Sequence, residues 1–354
     1  MYIKHKLYAA DILNIAGENL PWEKLANKTL LVTGATGLIG TVLVDALMKK
    51  NLDDNLNVTI LAAGRNEKIS AERFADYADN KNFRFVKLDV NAPIEIDFPV
   101  DFVIHAASNT HPMQYSTDPV GTMTTNILGT YNLLEFCRVK NVSRFVFVSS
   151  VEIYGKALRP EDIFDEKYCG YIDCNTLRAG YPESKRAGEA LCQAYISRHN
   201  VDVVIPRLSR IYGATMRLDD SKAMSEFIMN GVRGENIVLK SEGIPRFSYC
   251  YAADCVSGIF YCLLNGKCGE AYNVADSSEI LSLREIAEYI SGLNGKKVIF
   301  ELPNETQRKG FSTAINAIMP NDKLRGLGWS PKDDTRSGVK KTVEILRSLV
   351  NKGV

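Results

Sequence analysis

The sequence predicts an α/β fold: a doubly wound parallel sheet followed by a smaller C-terminal α/β domain. Short apolar runs alternate with stretches of helical periodicity over residues 29–205, a pattern that closes into a parallel sheet. A glycine-rich turn, Gly34-Ala-Thr-Gly37-Leu-Ile-Gly40, joins the first run to the first helix. At 354 residues the chain can also bury one large core or two unequal ones. The expected divisions are an appendage over 1–28, the sheet domain over 29–205 and the smaller domain over 206–354. Residues 248–264 are expected to return to the sheet domain.

In chain order, Tyr8 to Leu20 reads as a short helix with Leu20-Pro-Trp22 as its stop, on an appendage that is either solvated or clasps the domains. Leu30, Leu31 and Val32 form a run suited to a strand buried on both faces, and Val42, Leu43, Ala46 and Leu47 then recur at helical spacing. Such a turn leaves free N–H groups at the helix start, where a pyrophosphate can sit. Gly34 permits the turn and Gly37 lets backbone approach the phosphates. Gly40 lets helix and strand pack closely, and Thr36, Leu38 and Ile39 complete the loop. A dinucleotide site on a Rossmann-type sheet is the better reading than a plain strand-to-helix turn.

Val58–Ala62 is the second strand. Its tip usually offers an acidic residue to the adenosine ribose, but here it reads Ala62-Ala-Gly-Arg65-Asn66. Arg65 fits either a 2′-phosphate or stacking on adenine, so NAD is expected and NADP stays open. Phe83–Leu88 is the third strand, and the Asp89-Val90 that follows it either receives the adenine amino group or is a solvated loop. Val100–His105 is the fourth, ending in Ala106-Ala107-Ser108, small residues where backbone must approach a ligand. Thr122 to Lys140 is a long helix with Ile127, Tyr131 and Leu134 on one face, and Arg144–Ser149 is the fifth strand.

Ser149-Ser150-Val-Glu152 closes that strand at the carboxyl edge of the sheet, where ligands bind. Tyr181-Pro-Glu-Ser-Lys185 opens the next helix and places Tyr and Lys on one face. A lysine ammonium beside a phenol lowers the phenol's pKa, which makes Tyr181 a candidate acid/base near neutral pH. An exposed helix pair is the bland alternative, and the glycine loop and Ser-Ser strand end weigh against it. Val203–Pro206 is a sixth strand, leading into Arg207-Leu-Ser-Arg210. Ser225–Val232 is a helix and Asn236–Lys240 a strand, and Tyr249 to Asp254 starts a helix with Asp254 as candidate cap. Ala271–Val274, the helix Ser282–Leu293 and Val298–Glu301 are expected to build the smaller domain, with Lys323–Pro331 a structural loop.

A formal charge of +1 gives no electrostatic reason to expect nucleic acid or an anionic membrane. No apolar run approaches the roughly 18–20 residues that span a bilayer. The start, Met1 to Lys6, lacks the apolar segment of a signal peptide, so a cytoplasmic location is expected. The eight cysteines are scattered, with no Cys-x-x-Cys and no histidine at zinc-site spacing, which reads as free thiols and no metal.

Taken together, Thr33 to Gly40, Ser150 and the Tyr181/Lys185 pair resemble the extended short-chain dehydrogenase/reductase family of nucleotide-sugar enzymes. Within it the chain is most similar to the UDP-glucuronate decarboxylases. The stretch from His105 to Thr130, with Pro112, Tyr115, Pro119-Val120, Thr125-Asn126 and Gly129-Thr130, carries the likeness. So do Tyr181 to Glu189 and the run Tyr212-Gly213, Met216, Asp220, Ser225 and Phe227-Ile228. The resemblance implies bound NAD, held in part by Asn126 and Lys185. It implies that Tyr181 takes the C4 hydroxyl proton beside Ser150, with Glu152 orienting the ring or managing a proton at C5. Ser149 and Arg207 are implied on the substrate side.

Val151 stands where the dehydratases of the family place an acid. Arg210 stands where the family has an asparagine touching the diphosphate, and Phe247 where the decarboxylases have an arginine, with Arg246 beside it. Arg210 and Arg246 therefore either rebuild the diphosphate clamp or are surface charges. An epimerase or 4-reductase of a related nucleotide sugar would use the same Tyr181 and Lys185, and a non-catalytic dinucleotide sensor would need neither. The resemblance also implies a homodimer, through the helices holding Asn126 and Tyr181.

Overall fold

Leu30 and Val32 point into one half of the core and Leu31 into the other, so β1, Thr29–Thr33, is apolar without interruption because both its faces are covered. The computed structural model describes residues 2–110, 115, 117–159, 161–301 and 316–351, which leaves Pro112 of the likeness above outside it. The same division between two half-cores recurs in β2 (Thr59–Gly64), β4 (Phe102–His105), β5 (Arg144–Phe147) and β7 (Val203–Leu208). β3 (Phe83–Lys87), β6 (Ser149–Ser150) and β8 (Ala271–Val274) complete an eight-stranded sheet. All pairs are parallel, in the order β8-β7-β5-β4-β1-β2-β3, with β6 also on β7. The order reverses between β1 and β4, and the crevice beyond their carboxyl ends is where such sheets bind ligands.

The layers over the sheet come from α2 (Leu38–Asp54), α3 (Pro119–Lys140), α4 (Gly180–His199) and α5 (Ala252–Asn265). Helices α2, α3 and α4 each end on an asparagine in the left-handed conformation, Asn55, Asn141 and Asn200, whose backbone N–H groups donate to carbonyls of the last turn. Helix α5 returns the chain to the sheet, and β8 follows it to pair with β7 in the register Ala271 with Ile205 and Val274 with Leu208. Ala271–Val274 therefore lies in the large sheet and not in the smaller domain. Its partner is some seventy residues upstream, which a local reading does not reach.

The smaller domain groups the helices Ala223–Arg233 and Leu283–Gly292 with short strands. Arg246–Phe247 lies between Leu281–Ser282 and Asn316–Ala317, and Arg210–Tyr212 pairs with Tyr249–Tyr251. That last pair runs straight into α5, with Tyr251 at the N-cap position, so Asp254 is not the cap. Asp254 instead accepts the backbone N–H groups of Lys332 and Asp333, at 2.8 and 3.1 Å.

The appendage clasps the domains. Helix α1 (Lys6–Ala16), shorter than its apolar pattern suggested, packs on α2, α5 and α6 (Thr335–Val350). Tyr8 donates to the buried Asp45 of α2 at 2.6 Å, and Tyr77 donates to its other oxygen at 2.8 Å. Asp11 accepts from Tyr251 at 2.6 Å and pairs with Lys341 of α6 at 2.9 Å.

Candidate active site

The glycine loop lies at the crevice, and its shape is set by contacts that leave no room for a side chain. A Cβ on Gly34, whose φ is +69°, would stand 2.8 Å from the Ala106 carbonyl oxygen and the Ala107 nitrogen, so the loop after β1 and the end of β4 touch through backbone. A Cβ on Gly40 would meet the Gly34 oxygen at 2.3 Å. Gly37 is exposed at the N-cap of α2, which has no side-chain cap and no acidic residue in its first turn. The N–H groups of Leu38 and Ile39 thus begin a helix with no side-chain cap among the described residues, and Thr36 lies beside them. These features fit the pyrophosphate of a dinucleotide.

Arg65 is exposed one residue beyond the end of β2. Asp89 is exposed and accepts the Asn91 N–H at 3.0 Å, while Val90 is buried against Gly129 of α3. Ser108 donates to Asn126 at 2.8 Å, Asn126 donates to Ser184 at 2.9 Å, and Ser184 donates to the Tyr181 carbonyl at 2.8 Å. This chain of bonds ties the end of β4 to the helix that carries Tyr181.

Tyr181 is buried, and Ser150 and Ser108 lie beside its phenol. Burial pushes that phenol up to about 12, with the Glu152 charge adding to the rise and the two serines opposing it. Lys185 is equally buried, donates to the Val148 carbonyl at 2.8 Å and lies 4.9 Å from the centre of the Phe147 ring. Burial brings its ammonium down to about 8, with Glu189 opposing. The shared helix face is as expected, but the near-neutral phenol is not. Desolvation is the largest influence on the phenol, and the Lys185 ammonium is directed at a carbonyl instead. Tyr115 stacks on Tyr181 with ring centres 5.0 Å apart and 25° between planes, and Glu152 pairs with Arg178 at 3.6 Å.

The family described as NAD dependent epimerase/dehydratase matches residues 30–275. The chain belongs to that family. NAD is accordingly its cofactor. UDP-glucuronic acid decarboxylase 3 of Arabidopsis thaliana is 29% identical over 331 residues, 92% of this chain and 91% of that protein. Among solved structures, a dTDP-glucose 4,6-dehydratase of Streptomyces venezuelae superposes with a TM-score of 0.77 at 24% identity, over 92% of this chain and 98% of that one. A UDP-glucuronic acid 4-epimerase of Bacillus cereus gives 0.76 at 21%, over 91% and 99%.

On the expected substrate side, this family member departs from the reading of its sequence. Arg207 spends its guanidinium on Glu189, at 3.0 and 2.7 Å, on the Tyr154 hydroxyl at 3.2 Å and on the Glu166 carbonyl at 2.8 Å. Ser149 donates to the same Glu189 at 2.6 Å. Both therefore hold β6 and β7 to α4 instead of facing a ligand, an arrangement built on one carboxylate from a neighbouring helix. Arg246 is drawn to the Ile280 carbonyl and to Glu285, at 2.7 and 2.9 Å, on the surface of the smaller domain. Arg210 lies over the Phe247 ring, 3.8 Å from its centre, and its Nε is buried with no hydrogen-bond partner among the described residues. Of the two candidate clamp arginines, Arg210 alone keeps an unspent buried donor.

Sequence reasoning assigned no role to Tyr115 and did not single out Arg178. Arg178 stands three residues before Tyr181, on the turn Leu177–Ala179 that leads into α4, and that nearness was the available signal. Among the described residues no cluster of three or more His, Cys, Asp or Glu side chains could hold a metal ion, and no helix is long and apolar enough to cross a membrane.

Proposed function

We propose that this chain removes CO₂ from a nucleotide-linked uronic acid, UDP-glucuronate or a close relative, by transient oxidation at C4. The observation that carries the reading is the strand end Ser150-Val151-Glu152 beside Tyr181. Ser150 lies beside the Tyr181 phenol, Val151 is buried where loss of water would need an acid, and the Glu152 charge acts on that phenol. The similarity to UDP-glucuronic acid decarboxylases over most of the chain supports it.

Tyr181 takes the C4 hydroxyl proton, with Ser150 holding the oxygen in line. Bound NAD would supply the acceptor for the C4 hydride and the source for its return. Burial, with the Glu152 charge adding to it, holds the phenol high, so its phenolate depends on positive charge brought near it, and Lys185 offers a buried cation on the same helix face. Once C4 is a ketone, the C6 carboxylate is β to it. The C5–C6 bond breaks, CO₂ leaves, and the electron pair moves into the C4 oxygen as an enolate. Ser150 and Tyr181 stabilise that oxygen by hydrogen bonding, and a proton then returns to C5, with Glu152 placed to manage it. No net redox change results.

Dimerisation belongs to the same reading. Val120, Met123, Leu128, Tyr131 and Val139 leave an apolar stripe exposed along α3, which suits a bundle with the equivalent helices of a second copy. The test of function is mass spectrometry of the protein incubated with UDP-glucuronate and no added reductant. The expected product is lighter by CO₂. An isomer of unchanged mass would replace the reading with an epimerase, and unchanged substrate would overturn it.

A further inference from the structure

We propose that Arg178 is the residue that receives the C6 carboxylate of the sugar and so selects uronic acids over neutral sugars. The inference rests on the C4-oxidation reading above and adds to it the residue that recognises the acid.

Covalent geometry confines the search. If Tyr181 meets the C4 hydroxyl, C6 is only two bonds from C4, so the carboxylate must lie among the groups that surround the phenol. Those groups are Ser150, Ser108, the stacked Tyr115 ring and Glu152. The Tyr115 phenol in turn feels the charges of Tyr181, Glu152, Arg178 and Asp220, which places Arg178 at the same cluster.

The other described cations around the cluster are already committed. Lys185 is bonded to the Val148 carbonyl. Arg186 serves the Ile153 and Gly170 carbonyls, at 2.6 and 2.8 Å. Arg207 is locked to Glu189. Lys222 is paired with Asp220 at 3.1 Å and reaches Thr110. Arg178 differs. Its side chain is 48% exposed, and among the described residues its one ion pair is the 3.6 Å approach to Glu152, longer than a charge-assisted hydrogen bond. Most of its donor fork is unspent, and a planar fork suits a carboxylate.

Two carboxylates, Glu152 and that of the substrate, would otherwise face each other across the site. Arg178 between them offsets that repulsion. Since C6 departs as neutral CO₂, this attraction weakens as the C5–C6 bond breaks. Arg178 therefore contributes to binding more than to the rate of the bond-breaking step.

The experiment compares wild type with Arg178→Gln and Arg178→Lys, measuring KM and kcat with UDP-glucuronate and inhibition by UDP-xylose, which lacks the carboxylate. Loss of a charge-assisted bond predicts a KM for UDP-glucuronate raised about 10- to 100-fold in Arg178→Gln, with kcat lowered much less. Inhibition by UDP-xylose stays within about threefold, and Arg178→Lys recovers part of the loss. An unchanged KM overturns the proposal, and so does equal weakening toward UDP-xylose, which marks a structural role. A wild type that leaves UDP-glucuronate untouched brings down the functional reading itself, whereas an active wild type with an unaltered variant brings down only the role of Arg178.

Discussion

Replacing Gly40 by alanine tests whether the loop after β1 is shaped for a dinucleotide. The added methyl would stand 2.3 Å from the Gly34 oxygen, 2.6 Å from the Ala35 Cα and 2.7 Å from the Ala35 oxygen. Carbon and its neighbours rest at about 3.5–4.0 Å, so relief requires the loop to move by about 1 Å. All three obstacles are backbone, and no side chain can turn aside. Overpacking of this kind costs about 1–3 kcal/mol in stability. The same displacement pulls the N–H groups of Leu38 and Ile39 beyond hydrogen-bonding range of a pyrophosphate. Each bond lost to a charged group removes about 1.5–3 kcal/mol, so NAD affinity falls by about 10- to 100-fold or more. Titration calorimetry with NAD measures the affinity, and thermal melts with and without NAD separate it from stability. Gly292→Ala is the control, because a Cβ there meets nothing within 4 Å. If Gly40→Ala binds NAD within about threefold of wild type, the loop does not hold the phosphates as described.

Further expectations can be checked with the same preparations. Tyr181→Phe keeps the ring stack with Tyr115 but removes the proton acceptor; turnover should drop by about 10²- to 10⁴-fold with NAD affinity unchanged, and equal loss of NAD affinity would refute a purely chemical role. Removing one partner of the Arg207–Glu189 pair, as in Arg207→Met or Glu189→Gln, leaves a buried charge uncompensated and should cost about 3–5 kcal/mol by denaturant melts. A variant that raised KM at unaltered stability would return Arg207 to the substrate side. Burial lifts the Asp45 carboxyl from 3.8 to about 6, with the Tyr8 and Tyr77 hydroxyls opposing the rise. The folded state therefore holds this proton more tightly than the unfolded one. The stabilisation is fully present below the unfolded pKa and is lost as pH rises through about 6. The group contributes about 3 kcal/mol over that window, and Asp45→Asn should flatten the melting profile between about pH 4 and 6. A profile of unchanged slope would refute the assignment.

Local signals made the site legible where chemistry is local. The β1 run, the glycine spacing and the i, i+4 pair Tyr181/Lys185 are each set by adjacent residues, and they meet at the crevice as read. What failed was non-local. Ala271–Val274 belongs to the large sheet only because α5 carries it back to β7. Arg207 and Ser149 looked like ligand groups because Glu189, which consumes them, lies on another element. Arg246 is drawn away by Glu285, thirty-nine residues on. The phenol of Tyr181 is pushed up by burial, which spacing does not display.

The most direct measurement follows the C4 hydrogen itself. UDP-glucuronate deuterated at C4 is incubated with the protein and its bound NAD, with no external reductant, and the pentose product is examined by mass spectrometry and NMR. Removal and return of the same hydride at C4, with Tyr181 handling only the hydroxyl proton, predicts CO₂ release with deuterium retained at C4. A product carrying solvent hydrogen at C4, or CO₂ loss that requires added reductant, would contradict it.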